Sequence, residues 1–157
     1  MPETESTGTK KIANNRRAFH DYTVDEKIEC GISLAGTEVK ALREGRISFG
    51  DAYALIHDGE LWLVALRISP YSRAGIFSHD PDRERKLLVH RQELRRLKRR
   101  VDEKGYTLIP LRLYFKRSIV KVEIGLCKGK RQYDKREDIK ARDHKRDAER
   151  EAREQLR

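Results

Sequence analysis

The sequence has no apolar run of the roughly 18 residues that a helix needs to cross a bilayer, so membrane partners are not expected. Its two cysteines, Cys30 and Cys127, lie far apart in apolar, strand-like contexts, which excludes a disulfide framework and the close paired spacing of zinc ligands. They read as reduced packing residues. The five histidines (His20, His57, His79, His90, His144) share no ligand spacing, so neither a metal nor another cofactor is expected. The N-terminal MPETESTGTKK lacks the apolar segment of a secretory signal, and a cytoplasmic protein is expected. Carboxylates are not clustered for metal-assisted phosphate chemistry. His20-Asp21 and His79-Asp80 are adjacent pairs, and neighbours on an extended chain point apart, so they read as solvated loop or turn residues and no enzyme is expected.

What the chain has is positive charge. It carries 36 Lys+Arg against 26 Asp+Glu, a formal net charge of +10, which points to an anionic partner. No segment combines a basic face with a broad aromatic and leucine face, so that partner is not a membrane surface.

Apolar alternation fills roughly residues 28 to 127, and the flanks are polar, so the chain divides into a polar extension (1–12), a folded body (13–128) and a charged tail (129–157). ECGISLAG alternates as a half-buried strand, with Cys30, Ile32 and Leu34 inward and Glu29 outward. TEVKALREG spaces Val39 and Leu42 as a short helix that Gly45 ends and that exposes Lys40 and Arg43. DAYALIHDGELWLVALRIS is two strands around Asp58-Gly59, a pair that supplies the positive φ angles of a tight hairpin turn. Trp62 reads as a packing residue. Residues 69–85, with two prolines and a glycine, form a long loop. HRQELRRLKRRVDEKG is a helix with Leu94, Leu97 and Val101 on one face, cations on the rest and Gly105 at its end. YTLIPLRLYFKR and SIVKVEIGLCK are strands joined near Arg117-Ser118. In the first, Thr107, Ile109, Leu111, Leu113 and Phe115 alternate; Pro110 cannot donate to a ladder and belongs at an edge or bulge. Five or six antiparallel strands with short helices predict a mainly β protein, an OB-type antiparallel barrel that leaves few exposed edges; an α+β sandwich is the alternative.

The tail holds 11 Lys+Arg and 8 Asp+Glu, often paired at helical spacing, as in Asp138 with Arg142 and Glu149 with Arg153. Ala148, Ala152 and Leu156 are its only apolar stripe, too thin to offset the entropy of ordering it on the body. It should be disordered or a fluctuating helix alone and fold on a charged surface. KGKRQYDKRE sets Tyr133 among Lys128, Lys130, Arg131, Lys135 and Arg136, the composition of a ring stacked on an unpaired base with phosphates held around it, or of a packing tyrosine at the base of the tail.

Several stretches resemble, in collinear order from about residue 13 to the C-terminus, the small protein B family, the SsrA-binding proteins of bacteria: NRRAFHDY, GTEVKALREG, DGELWL, ISPY, HDPDRERKLLVH, LYFK and KGKRQYDKRE. The resemblance implies an OB-type barrel without enzymatic activity that binds the tRNA-like domain of transfer-messenger RNA. With GTP-bound elongation factor Tu it would deliver that RNA to ribosomes stalled on messages lacking a stop codon. It further implies that the tail probes the decoding centre, on small-subunit rRNA, and the empty message channel, where it becomes helical. By this resemblance Asn15, Glu29 and Leu88 contact the RNA: Asn15 by amide donors and acceptor, Leu88 against a nucleobase or sugar, and Glu29 by accepting from base amino groups or by holding a neighbouring arginine. Arg16, Arg17, Lys40, Arg43, Arg85 and Lys86 would meet phosphates. Gly129, Lys130, Arg131, Tyr133, Asp134, Lys135 and Arg136 match the family's decoding-centre motif. The Arg117-Ser118 turn departs from the Asn-Gly-like turns common there. The alternative reading is another small basic barrel of the translation apparatus that binds rRNA.

Overall fold

Two tight hairpins set the register of the sheet. Asp58 (φ 51°) and Gly59 (φ 71°) both take the left-handed conformation of the favoured two-residue turn. They join β4 (Tyr53–His57) to β5 (Glu60–Val64), with His57 opposite Glu60. Arg117 (φ 52°) and Ser118 (φ 69°) do the same between β8 (Thr107–Lys116) and β9 (Ile119–Gly129) without a glycine or asparagine. L-residues pay about 1 kcal/mol for such a φ.

The computed structural model describes residues 8–130, 142 and 144–153. The other elements of the body are β1 (Thr9–Asn14), α1 (Arg16–Asp21), β2 (Tyr22–Ile32), α2 (Gly36–Arg43), β3 (Ile47–Ser48), β6 (Arg67–Ile68), β7 (Arg85–Leu88) and α3 (Arg91–Lys104). Strand β8 pairs with β9, β9 with β2, β2 with β7, β7 with β5, β5 with β4, and β4 returns to β8 at Ala54–Leu108. The sheet is thus a closed antiparallel barrel, with β1 added beside β8 and β3–β6 as a separate ribbon. Closure removes most exposed edges. This is the OB-type architecture the alternation predicted.

The barrel is filled by residues at every second position, including Leu61 and Leu63 of β5 and Val122, Ile124 and Leu126 of β9. Each fully buried aliphatic side chain contributes about 1.5–3 kcal/mol. Helix α3 docks by Leu97, flanked by half-buried Leu94 and Val101, and Gly105 (φ 68°) ends it in the left-handed conformation that glycine tolerates. Trp62, half-buried, lies on the opposite face of β5 from Leu61 and Leu63, between Leu55 and Lys86 in register.

Strand β8 corrects the sequence reading at one point. Its register shifts between Pro110 and Arg112, a bulge where the missing proline N–H is tolerated, as expected of Pro110. The extra residue inverts the alternation, so the odd-numbered residues do not share one face. Leu113 and Phe115 enter the barrel core, whereas Ile109 and Leu111 join Cys127 in a second cluster under Ala18 of α1.

A buried ion cluster ties the long 69–85 loop to the barrel. Glu38 of α2 and Arg85 of β7 are both fully buried and hydrogen-bonded. Glu38 also accepts from Arg83 and from the Ala35 N–H at the start of α2. The remaining Arg85 donors go to the carbonyls of Leu66 (2.7 Å), Arg83 (3.1 Å) and Pro81 (3.1 Å). Arg85 therefore cannot meet phosphate, a correction to the sequence reading: its guanidinium is enclosed and fully engaged. Beside it, His79 binds the Ile68 carbonyl through Nε2 (2.8 Å) and Thr37 Oγ1 through Nδ1 (2.9 Å), so it is a half-buried structural residue, not a solvated loop histidine.

Burial alone would raise the Glu38 pKa, but hydrogen bonds from Arg83, Ala35 and Arg85 hold it below the ordinary value. A depressed carboxyl stabilises the fold above its unfolded pKa, and that stability fades as pH falls through the folded one. Glu38→Gln should lose about 3–5 kcal/mol in urea denaturation at neutral pH, because it leaves Arg85 buried and unpaired. The gap from the parent protein should narrow below about pH 4.

Candidate nucleic-acid interface

In an antiparallel sheet, directly paired residues project to the same side. Leu88, Gly31, Lys121, Tyr114 and Lys11 form one such row across β7, β2, β9, β8 and β1. Glu29, Glu123, Arg112 and Asn14 form the next. Both rows lie on the outside of the barrel. Helix α1 covers the neighbouring part of that outer surface through Ala18; within the two rows Lys11, Asn14, Glu29, Leu88 and Arg112 are exposed and Tyr114 is buried.

Asn15 seats this helix. Its side-chain carbonyl accepts from the Ala18 N–H (3.2 Å), and its amide donates to the Pro110 carbonyl (2.9 Å) at the β8 bulge. Asn15 is buried, with amide and carbonyl both engaged inside the protein. The sequence reading, in which those groups face RNA edges, is corrected to a helix cap at the border of the open face. His20-Asp21 needs correction too: the two are helical, not extended, and His20 Nδ1 lies 2.9 Å from Asp21 Oδ1 on the surface.

Glu29 is exposed at the centre of the face, as alternation in β2 required. Its carboxylate accepts from the Tyr114 hydroxyl (2.6 Å) and from Lys116 Nζ (3.3 Å). The group it holds is thus a lysine and a tyrosine, not an arginine. The Tyr114 hydrogen bond, helped by Lys116, keeps the Glu29 carboxyl below its usual value against the opposing effect of burial. Burial and the same bond raise the phenol pKa of Tyr114.

Leu88 is 54% exposed, an unusual position for a leucine beside charged residues. Gly31 makes room for it. A Cβ built on Gly31 would sit 3.2 Å from the Leu88 Cβ, closer than most real contacts.

The cations are distributed unevenly. Arg16, Lys40 and Arg43 are exposed. Lys40 lies 5.5 Å from the Tyr71 ring and Arg43 5.7 Å from the Phe115 ring. Arg17 pairs with Asp21 and Asp51, and Lys86 with Glu60 (3.0 Å). Sequence reasoning missed Tyr114, Lys116, Arg112 and Lys121. Their only signal was the period of two in β8 and β9, which places them outward but does not say what they face.

At the base of the tail, Gly129 ends β9 and the Lys130 N–H donates to the Asp21 carbonyl (2.9 Å). Lys128 and Arg100 flank the Tyr106 ring at 4.6 and 4.8 Å. Arg131, Tyr133, Asp134, Lys135 and Arg136 lie outside the described residues. Residues 144–153 are helical, and every one is exposed, Ala148 and Ala152 included.

Cys30 and Cys127 are buried, and burial pushes their thiol pKa values up to about 12 and about 11. Among the described residues, no group of His, Cys, Asp and Glu is arranged to hold a metal ion, and no helix is long and apolar enough to cross a membrane.

The SmpB protein family model matches residues 12–154. The chain belongs to the SmpB protein family. It is 60% identical over 147 residues to the SsrA-binding protein of Treponema denticola, covering 94% of this chain and 96% of the relative. It is 55% identical to that of Treponema pallidum, over 92% of this chain and 94% of the relative. A solved structure described as "tmRNA-SmpB: a journey to the center of the bacterial ribosome" superimposes with TM-score 0.67 at 47% identity, covering 83% of this chain and 95% of that one. Membership extends through the tail, since the matched residues include the described helix at 144–153.

Tyr114→Phe removes the donor that holds the Glu29 carboxylate. The Glu29 pKa should rise toward 4.5, the value of a free glutamate, in an NMR titration of the side-chain carboxyl. An unmoved titration would mean that Lys116 alone orients the group.

Proposed function

We propose that this protein binds the tRNA-like domain of transfer-messenger RNA and delivers it to stalled ribosomes for trans-translation. The observation that carries the reading is the outer face, where Glu29 of β2 and Leu88 of the adjacent strand β7 stand two residues apart in register among Lys11, Lys116, Lys121 and Arg112. The names of the relatives, SsrA-binding protein, and of the structural neighbour, tmRNA-SmpB, support the choice of RNA.

On this face each residue type has a task. Leu88 offers an apolar contact to a nucleobase or sugar, Glu29 accepts from base amino groups, and the lysines meet phosphates. Asn15 acts through α1, whose position bounds the face. Arg16, Arg17, Lys40, Arg43 and Lys86 add charge around it. The role is one of binding and delivery in the cytoplasm, within a complex that includes elongation factor Tu, and involves no catalysis.

The tail serves the ribosome. Gly129, Lys130, Arg131, Tyr133, Asp134, Lys135 and Arg136 engage the decoding centre, with Tyr133 stacked on a base of small-subunit rRNA. The residues beyond enter the empty message channel. That helix 144–153 is exposed throughout supports a segment whose partner lies outside the body.

Electrophoretic mobility shift tests the reading. The tRNA-like domain should bind more tightly than an unrelated hairpin of the same length, and affinity should fall steeply with salt. Equal affinity for both RNAs would favour a general rRNA-binding barrel instead. Tyr133→Ala should leave that affinity nearly unchanged while weakening ribosomal engagement, and with it tagging of stalled peptides, by roughly 5- to 150-fold, as loss of about 1–3 kcal/mol of stacking implies. Normal tagging would count against the stacking role.

A further inference from the structure

We propose that Lys10, Arg43 and Arg117 form a second RNA-backbone grip, a phosphate-binding cleft at the β8–β9 turn outside the Glu29–Leu88 face. They line a cleft of about 450 Å³. The three come from unrelated elements: Lys10 from β1, Arg43 from the last turn of α2, and Arg117 from the turn itself. All are exposed. Among the described residues none of the three has a carboxylate partner, unlike Arg17 or Lys86, and the remaining lining, Gly8, Thr9, Phe115 and Ser118, carries no acid. Like charges gathered without a counterion repel one another, and an anion in the cleft removes that cost.

The turn supplies an independent observation. Arg117 and Ser118 hold φ angles of 52° and 69°, where asparagine or glycine is favoured. Local strain of this kind accumulates at functional positions. Arg117 lines the cleft, and its aliphatic stem lies beside Gly8: a Cβ on Gly8 would stand 3.7 Å from Arg117 Cγ. The Arg117 backbone N–H donates to the Gly8 carbonyl (2.7 Å), which ties the turn to the start of β1, and the Arg43 guanidinium lies 5.7 Å from the Phe115 ring centre, which orients it beside the cleft.

The chemistry fits a phosphodiester. Two guanidinium forks match its two free oxygens, Lys10 adds a point charge, and the Thr9 and Ser118 hydroxyls add neutral donors. The one ring in the lining, Phe115, is 8% exposed and so offers no platform for base stacking. The cleft also adjoins the proposed face, since Lys116, next in sequence to Arg117, reaches Glu29.

The test is the full-length triple variant Lys10→Gln, Arg43→Gln, Arg117→Asn. Asparagine tolerates the left-handed turn, so the variant should melt at or near the temperature of the parent, which separates binding loss from unfolding. Binding is measured over a range of salt concentrations to the tRNA-like domain, to an unrelated hairpin of equal length and to small ribosomal subunits. Affinity should fall about tenfold or more at low salt, and the slope of log affinity against log salt should shrink by about 2–3. A fall shared by the domain and the hairpin confirms a backbone contact without sequence preference. A fall confined to ribosomal subunits, with the same salt signature, also upholds the cleft and names ribosomal RNA as its source. Unchanged affinity and slope on all three overturn it. Whether the parent protein prefers the domain to the hairpin is a separate result that tests only the proposed function.

Discussion

The buried pair of Glu38 and Arg85 is the constraint from which the rest of the architecture follows. Strand β7 is short and is the link that closes the barrel between β5 and β2. A short strand contributes few ladder hydrogen bonds, so its place depends on the side chain at its first residue. Arg85 enters the interior there and is neutralised by a glutamate from α2, while its other donors satisfy the Pro81 and Arg83 carbonyls of the incoming loop and the Leu66 carbonyl between β5 and β6. A buried charge is tolerable only with a partner and with its donors used. This one meets both conditions, and in doing so it joins helix, loop and strand in one place.

That closure sets the position of Leu88. Three residues after Arg85, it lies opposite Gly31, where a Cβ on β2 would stand 3.2 Å from the Leu88 Cβ and crowd it. Glu29, two residues before Gly31, then falls on the same surface. The relation between the two proposed RNA contacts is a consequence of strand register, and register follows from the ion pair and the hairpins. Asn15 acts in the same way at another border: its amide ties α1 to the β8 bulge and so decides how much of the outer sheet stays uncovered.

The bulge at Pro110 illustrates how one local feature serves two packing demands. A strand of strict alternation has one inner and one outer side. By shifting phase, β8 sends Leu113 and Phe115 into the barrel and Ile109 and Leu111 beneath α1. The helix thereby has apolar surface to rest on. Gly125 belongs to the same arrangement: a Cβ there would stand 2.8 Å from Leu111, so the second cluster leaves no space for a side chain.

The sequence by itself determined the local elements of the body: both hairpins, the short helix ended by Gly45, the helix ended by Gly105 and the outward Glu29. Each depends on spacing or on the backbone freedom of a few neighbouring residues, which sequence expresses directly. Family motifs located Asn15, Glu29 and Leu88, but not what surrounds them. Only the tertiary structure decided that Arg85 is enclosed, that Asn15 is a cap, that Tyr114 and Lys116 hold Glu29, and that Lys10, Arg43 and Arg117 share a cleft. A cation on an alternating strand reads the same in sequence whether it faces solvent or a buried carboxylate. The difference is made by a partner 47 residues away, and that pairing exists only once the barrel has closed.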